Sequence, residues 1–423
     1  LCLTEYTLSS NSSSAVLLNS AIAEYFGIPF SQAAYIGVAF LAGFCLALLP
    51  ASLLLSRQSP TRVFFASSAV LAVLGVAASL SPEFWVLIVI RFAQGVASAA
   101  LAPQIFRIVR AQFYPDHHTR VLGTWGLVVS ASALCSPLIT AALNDAWGWR
   151  SFPYETVVTT LVAMALLAAV PAVDAPSEPA TNARSVAPMI ALAVLQVGIF
   201  LAIGAAASLP TKVALCAVTV LLGIGVVVVR RQSGAYRPVV YQSFFVVFVA
   251  GIATNVFTLS VVYFLQQVRG VDSYRSALFL VPMAFFAGLI PMLKLGRPGD
   301  NDKSTRLVFI GSLFLIVAGL SIALPGQMLL ASAALMGCAM GFLWSSLASN
   351  VISNSEQIPF DSGVYHYLRA LGAAIGVTVG ATTIEGLGGD MFGAVAAVVT
   401  LVGVVASAAA YSAWRTTRLV PAS

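Results

Sequence analysis

EFWVLIVIRFAQGVASAALAPQIFRIVRAQFYPDHHTRVLGTWGLVVSASALCSPLITAALNDAWGWRSF, residues 83–152, decides how the rest of the chain is read. Two long apolar runs flank a short basic loop that holds His117 and His118. The first run carries Arg91 in its outer half, at a depth where hydrocarbon is expected. A charge at the centre of a membrane helix costs roughly 2.5–3.5 kcal/mol even on insertion scales, so such a residue turns to a polar interior rather than to lipid. The second run carries Pro137 among small residues and ends at the pair Trp149-Arg150. A cation inside a span and a seam of small residues, in a chain of many spans, point to a transporter.

Composition agrees. Of 423 residues, 59% are hydrophobic and only 9% charged, with a mean hydropathy of +0.95. Water-soluble domains hold about 25% charged residues, which excludes a soluble fold. Apolar runs of roughly 20 residues recur, each long enough for one membrane helix. The ten-residue alternation of an outer-membrane barrel is absent. The fold class is all-α integral membrane. The five cysteines (Cys2, Cys45, Cys135, Cys216, Cys338) lie in apolar runs without CxxC spacing and read as packing residues, with neither metal nor disulfide implied. Neither a P-loop nor a catalytic triad is present, which argues against ATP-driven transport and against an enzyme; no cofactor is expected. The chain begins at Leu1, already close to a span, so a preceding N-terminal tail is expected.

Fourteen spans are predicted, at 3–23, 33–56, 63–81, 84–106, 120–143, 153–173, 186–207, 211–229, 242–266, 275–294, 306–324, 327–349, 362–384 and 391–413. The longest polar connection, VDAPSEPATNARS at 173–185, divides six spans from eight and reads as a hinge or a plain loop. The expected organisation is an N-terminal six-helix bundle over 1–173, a cytoplasmic linker over 174–185, two additional spans over 186–237 and a C-terminal six-helix bundle over 238–423. With the N-terminus inside, fifteen of the 21 lysines and arginines fall on the cytoplasmic side. Arg150, Lys212, Arg269 and Arg275 fall outside, and Arg91 and Arg369 lie within spans. This asymmetry sets both termini in the cytoplasm of a multi-pass plasma (bacterial inner) membrane. It also explains the net charge of +6 without a nucleic-acid partner.

The first span is unusually polar, with Glu5, Asn11, Asn19 and a run of serines. Either it lines a water-filled cavity, or Glu5 snorkels at the cytoplasmic end. Spans two and five are rich in Gly, Ala and Ser, which lets helices approach closely. Trp125, Asn255, Tyr263, Gln266, Trp344 and Asn350 are polar or aromatic residues in spans and form a candidate cavity lining, together with Asn11 and Gln94; each also fits a packing or interface role.

The segment IRFAQGVASAA, with Arg91, Gln94 and Gly95 in register, resembles the fourth-span motif of the major facilitator superfamily. The wider pattern resembles its fourteen-span drug/proton antiporter branch (EmrB/QacA-like). Pro115, Arg120, Trp125-Gly126 and Trp149-Arg150 carry that likeness, with YFLQQVRGVDSYRSALFLVP and the thirteenth-span stretch YLRALGAAIGV (Arg369, Gly372, Gly376). The resemblance implies the major facilitator fold: two six-helix bundles of inverted three-helix repeats around a central cavity, plus two extra spans, with substrate bound near the midplane and released by rocking of the halves. It implies as partners a small amphipathic substrate, protons and the lipid bilayer, and it admits a membrane-fusion or periplasmic partner.

Departures from the family pattern shape the mechanism. PASLLLSRQSPTR puts Ser52, Ser56 and Ser59 where the loop after span two usually has Gly, Asp and Gly. Asp361, at the start of span thirteen, with Arg57 or Arg107, is the candidate replacement for the lost gate latch; a simple helix cap is the other reading. The span-five signature is reduced to Ser136-Pro137 with Thr140 and Ala141, and Pro137 is retained as a gate residue. Asn11 stands where the family has a membrane-embedded Asp. For proton exchange this leaves Glu5 and His366, the only histidine inside a span, with Arg91 and Arg369 as the charge relay. His366 also fits an ordinary interfacial position. Glu155, Asp361 and Glu385 lie near span ends. The function expected is proton-coupled export of amphipathic molecules. The alternatives are a dedicated exporter of one endogenous product, such as a siderophore or lipid, or a non-transporting scaffold or sensor on the same fold.

Overall fold

A computed structural model describes residues 2–55, 58–112, 132, 135–170, 183–205, 209–232, 238–293, 301–323, 328–354, 358–387 and 391–419. Among the described residues the regular structure is helical throughout, without strands. The first predicted span is not one helix. Its serine run, weak in helix propensity because hydroxyls compete for backbone hydrogen bonds, coincides with a break: α1 (Cys2–Ser13) gives way to a 3-10 stretch, Ser14–Leu18, before α2 (Asn19–Phe26). Gly27, at φ 64, caps α2 in the left-handed region that glycine enters without a Cβ penalty. A single turn, α3 (Phe30–Ala33), then leads into α4 (Tyr35–Leu54). Next come α5 (Pro60–Ser79), which has Pro at its first position, where a missing N–H costs nothing, and the long α6 (Phe84–Gln112). Residues 135–147 form α7, followed by α8 (Ser151–Ala168).

The remaining helices are α9 (Ala183–Ala205), α10 (Leu209–Gln232), α11 (Pro238–Tyr263), α12 (Ser273–Met292), α13 (Asn301–Ile322), α14 (Leu329–Asn354), α15 (Ile358–Leu387) and α16 (Phe392–Leu419). The end of α11 widens into a π-helical turn, Phe264–Val268. Among the described residues ten helices are long and apolar enough to cross a bilayer, where fourteen spans were expected over the whole chain. Three of the expected spans hold shorter apolar stretches, Ala15–Phe26, Ile190–Phe200 and Pro210–Gly225. The expected fifth span, 120–143, falls largely outside the described residues.

The chain divides into two units, Leu1–Val197 with Val271–Ala277, and Gly198–Gly270 with Leu278–Ser423. Unit 1 pairs α4 with α6, α5 with α6 and α8, and α1 with α8 and α4. The α4–α6 seam is the tightest: a Cβ on Gly95 would lie 2.0 Å from the Phe40 carbonyl oxygen, and one on Gly43 would lie 2.1 Å from that of Phe92. Any larger residue there forces the helices apart. Two apolar clusters complete this unit. One gathers Leu18, Ile22, Ile36, Phe84, Trp149 and Phe152; the other gathers Phe64, Leu71, Leu101, Ile108 and Leu167. In unit 2, α13 packs on α14 and α16, α11 on α14, α15 and α16, and α10 on α15. The α5–α6 and α5–α8 pairings of unit 1 thus recur as α13–α14 and α13–α16, the internal repetition expected of duplicated bundles.

Candidate functional site

Arg91 lies three residues before Gln94 on α6, so the two share a face. Its guanidinium is 4% exposed and is answered by oxygens alone. Nη1 donates to Asn11 Oδ1 at 2.7 Å and to Gln94 Oε1 at 2.9 Å. Nη2 donates to the Asn11 carbonyl at 2.7 Å, and Nε to the Ile36 carbonyl at 3.4 Å. The break in the first span accounts for one of these acceptors. Carbonyls in the last turn of an α-helix lose their i+4 partners, and Asn11 stands two residues before the end of α1. The Phe40 and Phe152 rings lie against the guanidinium, with centroids 4.8 and 5.5 Å from Cζ. Among the described residues no carboxylate pairs with Arg91.

Asn11 links this cation to α8. Its Nδ2 donates to Thr156 Oγ1 at 3.0 Å and to the Thr7 carbonyl at 2.9 Å. The neighbouring Glu155 receives the other polar residues of α1: Tyr6 donates its hydroxyl to Oε1 at 2.5 Å, and Ser10 to the same oxygen at 3.2 Å. Thr140 on α7 donates to Oε2 at 3.0 Å. Thr7 donates to Thr159 at 2.9 Å. The α1–α8 contact is therefore a polar seam between Tyr6, Thr7, Ser10 and Asn11 and the stretch ETVVT. Glu155 holds three hydroxyl donors and no cation among the described residues.

On α6, Gln94 and Ser98 stand one turn apart, 1% and 0% exposed. Gln94 Nε2 and Ser98 Oγ have no partner among the described residues, so a donor and a hydroxyl remain open in the interior. Arg107, near the end of α6, donates to the carbonyls of Leu55 at 3.0 Å and Gln58 at 2.9 Å and to Gln104 Oε1 at 2.9 Å, tying α6 to the segment after α4. Pro137 lies on α7.

In unit 2, Asp361 stands fully buried in the first turn of α15. His366 packs edge-on to Tyr365, and Arg369 Cζ lies 5.9 Å from the Trp344 ring centroid. Asn255 donates to the Gly251 carbonyl at 3.0 Å and abuts Gly376. Gln266 is buried in the π-helical turn, a distortion often found at functional sites, and Tyr263 immediately precedes it. Asn350 is 2% exposed, with Oδ1 unpartnered among the described residues. The structure thus joins Asn11, Arg91 and Gln94 into one network and sets Arg369 beside the Trp344 ring, with His366 one turn earlier on α15. The Glu5 side chain, Arg57 and Trp125 lie outside the described residues.

Glu155 is the residue that sequence reasoning passed over. It was expected near a span end, and it does lie early in α8, but its carboxyl reaches the polar face of α1. The signal was present in ETVVTT, where acid and threonines recur on one helical face of an otherwise apolar run. An ion pair lies in unit 2, where Lys212 on α10 holds Glu385 on α15 at 2.7 Å. Among the described residues no group of three His, Cys, Asp or Glu could hold a metal.

The sequence profile of the Major Facilitator Superfamily matches residues 6–377. An uncharacterised MFS-type transporter of Mycobacterium tuberculosis is 24% identical over 395 residues, covering 86% of this chain and 66% of its own length. The tetracenomycin C resistance and export protein of Streptomyces glaucescens is 26% identical over 36% of this chain and 29% of its own, and the probable multidrug resistance protein EmrY of Escherichia coli is 24% identical over 33% and 28%. The chain thus spans just under two thirds of the mycobacterial relative and aligns with under a third of the other two. Among solved structures, a peptide transporter bound to sulfate superposes with a TM-score of 0.69 at 15% identity, over 98% of this chain and 94% of that one. The human organic anion transporter MFSD10 gives 0.66 at 14%, over 96% and 97%.

Proposed function

Because the chain belongs to the Major Facilitator Superfamily, we propose that it is a proton-coupled exporter of amphipathic small molecules, working by alternating access. The observation that carries this reading is Glu155. A carboxylate within a membrane segment and without a counter-ion is costly, and either a proton or a cationic substrate neutralises it. That exchange is the elementary step of antiport. Glu155 takes the coupling role expected of Glu5, and the Arg91–Asn11–Thr156 hydrogen bonds tie its helix to the buried arginine of α6, so a change at Glu155 reaches α6 through α1. Gln94 and Ser98, with open polar atoms, supply substrate contacts.

The names of two relatives, one an export and resistance protein and one a probable multidrug resistance protein, favour efflux. The fourteen-span arrangement with bundles at 1–173 and 238–423, both termini cytoplasmic, in a bacterial inner membrane, belongs to the same proposal and rests on the lysine and arginine asymmetry. The tetracenomycin export relative also favours a second reading, dedicated export of one endogenous product.

The test is flux of a fluorescent amphipathic cation in proteoliposomes under an imposed pH gradient. Glu155→Gln is expected to lower gradient-driven flux at least tenfold while leaving gradient-independent exchange of the same compound measurable. Undiminished gradient-driven flux in that variant overturns the coupling assignment. Absence of flux for a broad compound panel by the well-folded protein favours the scaffold reading.

A further inference from the structure

After Val197 the chain comes back to unit 1 for one stretch only, Val271–Ala277, which holds the first turn of α12. Both flanks of this stretch are built to bend. Before it stand the π-helical turn Phe264–Val268 and Gly270, at φ 64 in the left-handed region that favours glycine; after it, Pro282 interrupts the hydrogen bonding of α12. Two carboxylates share the first-turn N–H groups of α12, which have no partners inside the helix. Asp272 Oδ1 accepts from Arg275 at 2.7 Å, and Asp145 Oδ2, near the end of α7, accepts from Tyr274 at 2.9 Å. Buried beside them, Asn144 Nδ2 donates to Ser273 Oγ at 3.1 Å, and that hydroxyl donates to the Leu17 carbonyl at 3.4 Å.

Both anchoring points lead to Glu155. Asn144 stands four residues after Thr140, on the same face of α7, and Thr140 donates to Glu155 Oε2. Leu17 belongs to the 3-10 stretch that follows α1, and α1 supplies Tyr6 and Ser10 to Glu155 Oε1. Three donors from two elements therefore meet on one carboxyl, and the same short stretch pins both elements. Asp272 already gives α12 a cap from its own neighbouring chain, so the contacts with Asp145, Asn144 and Leu17 serve the docking. An apolar groove of about 450 Å³, walled by Leu143, Trp147, Tyr154 and Val158, opens beside the same carboxyl.

We propose that Val271–Ala277 is a strap whose docking keeps the hydroxyl donors on Glu155, with Asp145 and Ser273 as the positioning residues that hold it. The proposal rests on Glu155 as the coupling acid. Docked, the strap fixes α7 and the break in the first span at the spacing that lets Thr140, Tyr6 and Ser10 reach one carboxyl, and the carboxyl oxygens are closed to exchange. Released, α7 and α1 part, their hydroxyls leave with them, and the carboxyl stands open. Access to the acid is thereby tied to a segment whose continuation, α12 from Leu278 onward, belongs to unit 2. Coupling requires such a tie, because an acid that opens in every conformation lets protons through without moving substrate.

Labelling of Glu155 by the apolar carboxyl reagent dicyclohexylcarbodiimide, read by peptide mass spectrometry on the full chain in detergent at one fixed pH, tests the strap. With Asp145→Ala and Ser273→Ala combined, labelling of Glu155 is expected to quicken at least fivefold while that of Glu385 in unit 2 stays within twofold. Asp145→Asn, whose amide oxygen still accepts from the Tyr274 N–H, should label within twofold of the unaltered chain. Gradient-driven flux should fall at least threefold in the double variant. If the double variant fails to fold, Ser273→Ala alone decides, with an expected gain of at least twofold. Unchanged labelling of Glu155 overturns the proposal, as does an equal gain at Glu155 and Glu385, which marks general loosening. Glu155→Gln judges the coupling reading by itself, so a strap without effect on labelling leaves that reading standing.

Discussion

The two units treat charge in the membrane in opposite ways. Unit 2 cancels it on the spot: Lys212 meets Glu385 at 2.7 Å, and Arg369 lies on the face of Trp344. Unit 1 keeps a cation and an anion apart. Arg91 is answered by four oxygens, two of them from Asn11, and Glu155 by three hydroxyls. Helix α1 serves both, with Asn11 on one side and Tyr6 and Ser10 on the other. A direct ion pair holds two helices together and leaves little for a third party to exchange. Separated charges cradled by neutral groups stay open to a proton or a ligand. The comparison assigns anchoring to the unit 2 pair and exchange to the unit 1 acid, and it can be broken from either side.

The largest expected effect comes from spreading the helices that hold Arg91 in place. A Cβ on Gly95 would stand 2.0 Å from a backbone oxygen, which has nowhere to move short of shifting α4 against α6. Gly95→Ala is expected to destabilise by about 3 kcal/mol, the upper end of the overpacking range. It should also loosen Arg91 from the Ile36 carbonyl on α4. The matching change in unit 2, where α14 repeats α6, is Gly337→Ala, whose Cβ would lie 2.3 Å from the Met283 carbonyl oxygen and which should cost about 2 kcal/mol. Thermal unfolding of both variants in the same detergent measures the pair; equal costs would show that the α4–α6 seam is no tighter than its counterpart.

A second test moves the charge instead of the backbone. Asn11→Ala removes an acceptor from Arg91 and the donor to Thr156. Hydrogen bonds to charged groups are worth about 1.5–3 kcal/mol, and the loss should fall in that range. Asn11→Asp gives Arg91 a counter-ion and restores an acid at the place the family resemblance implies. In a Glu155→Gln background it should recover at least threefold of the lost gradient-driven flux. Without recovery, exchange depends on the location of Glu155 and not merely on an acid in this network.

How much of this could be read from the chain depends on whether a residue contrasts with its own surroundings. Arg91 stands out in an apolar run, and Gln94 follows it at helical spacing, so both were legible and the structure joins them. The polarity of the first span was legible too, though not its 3-10 break: a serine run weakens a helix without saying where it gives way. Glu155 was hidden because two of its three partners are 145 and 149 residues away and all three are neutral hydroxyls, which leave no charge pattern to match. Its distance from the span end misleads, since a Glu side chain reaches about a helical turn. The ion pair of Lys212 was hidden in the same way: it sits inside α10 and answers a glutamate that only the folded chain brings near.

The smallest expected effect is the one that separates anchoring from exchange most cleanly. Glu385→Gln breaks the pair with Lys212, whose side chain is 11% exposed while that of Glu385 is 41% exposed. Solvent at the glutamate screens the interaction, so the loss should be about 1 kcal/mol. Its mark should be local. With α10 released from α15, amide exchange across residues 209–232 should quicken, because a helix held by few buried contacts opens first. Gradient-driven flux should stay within twofold of the unaltered chain, since the charge lost was one the proton never visits. A flux loss as deep as that of Glu155→Gln would place exchange in unit 2 as well, and the division of labour between separated and paired charges would fall with it.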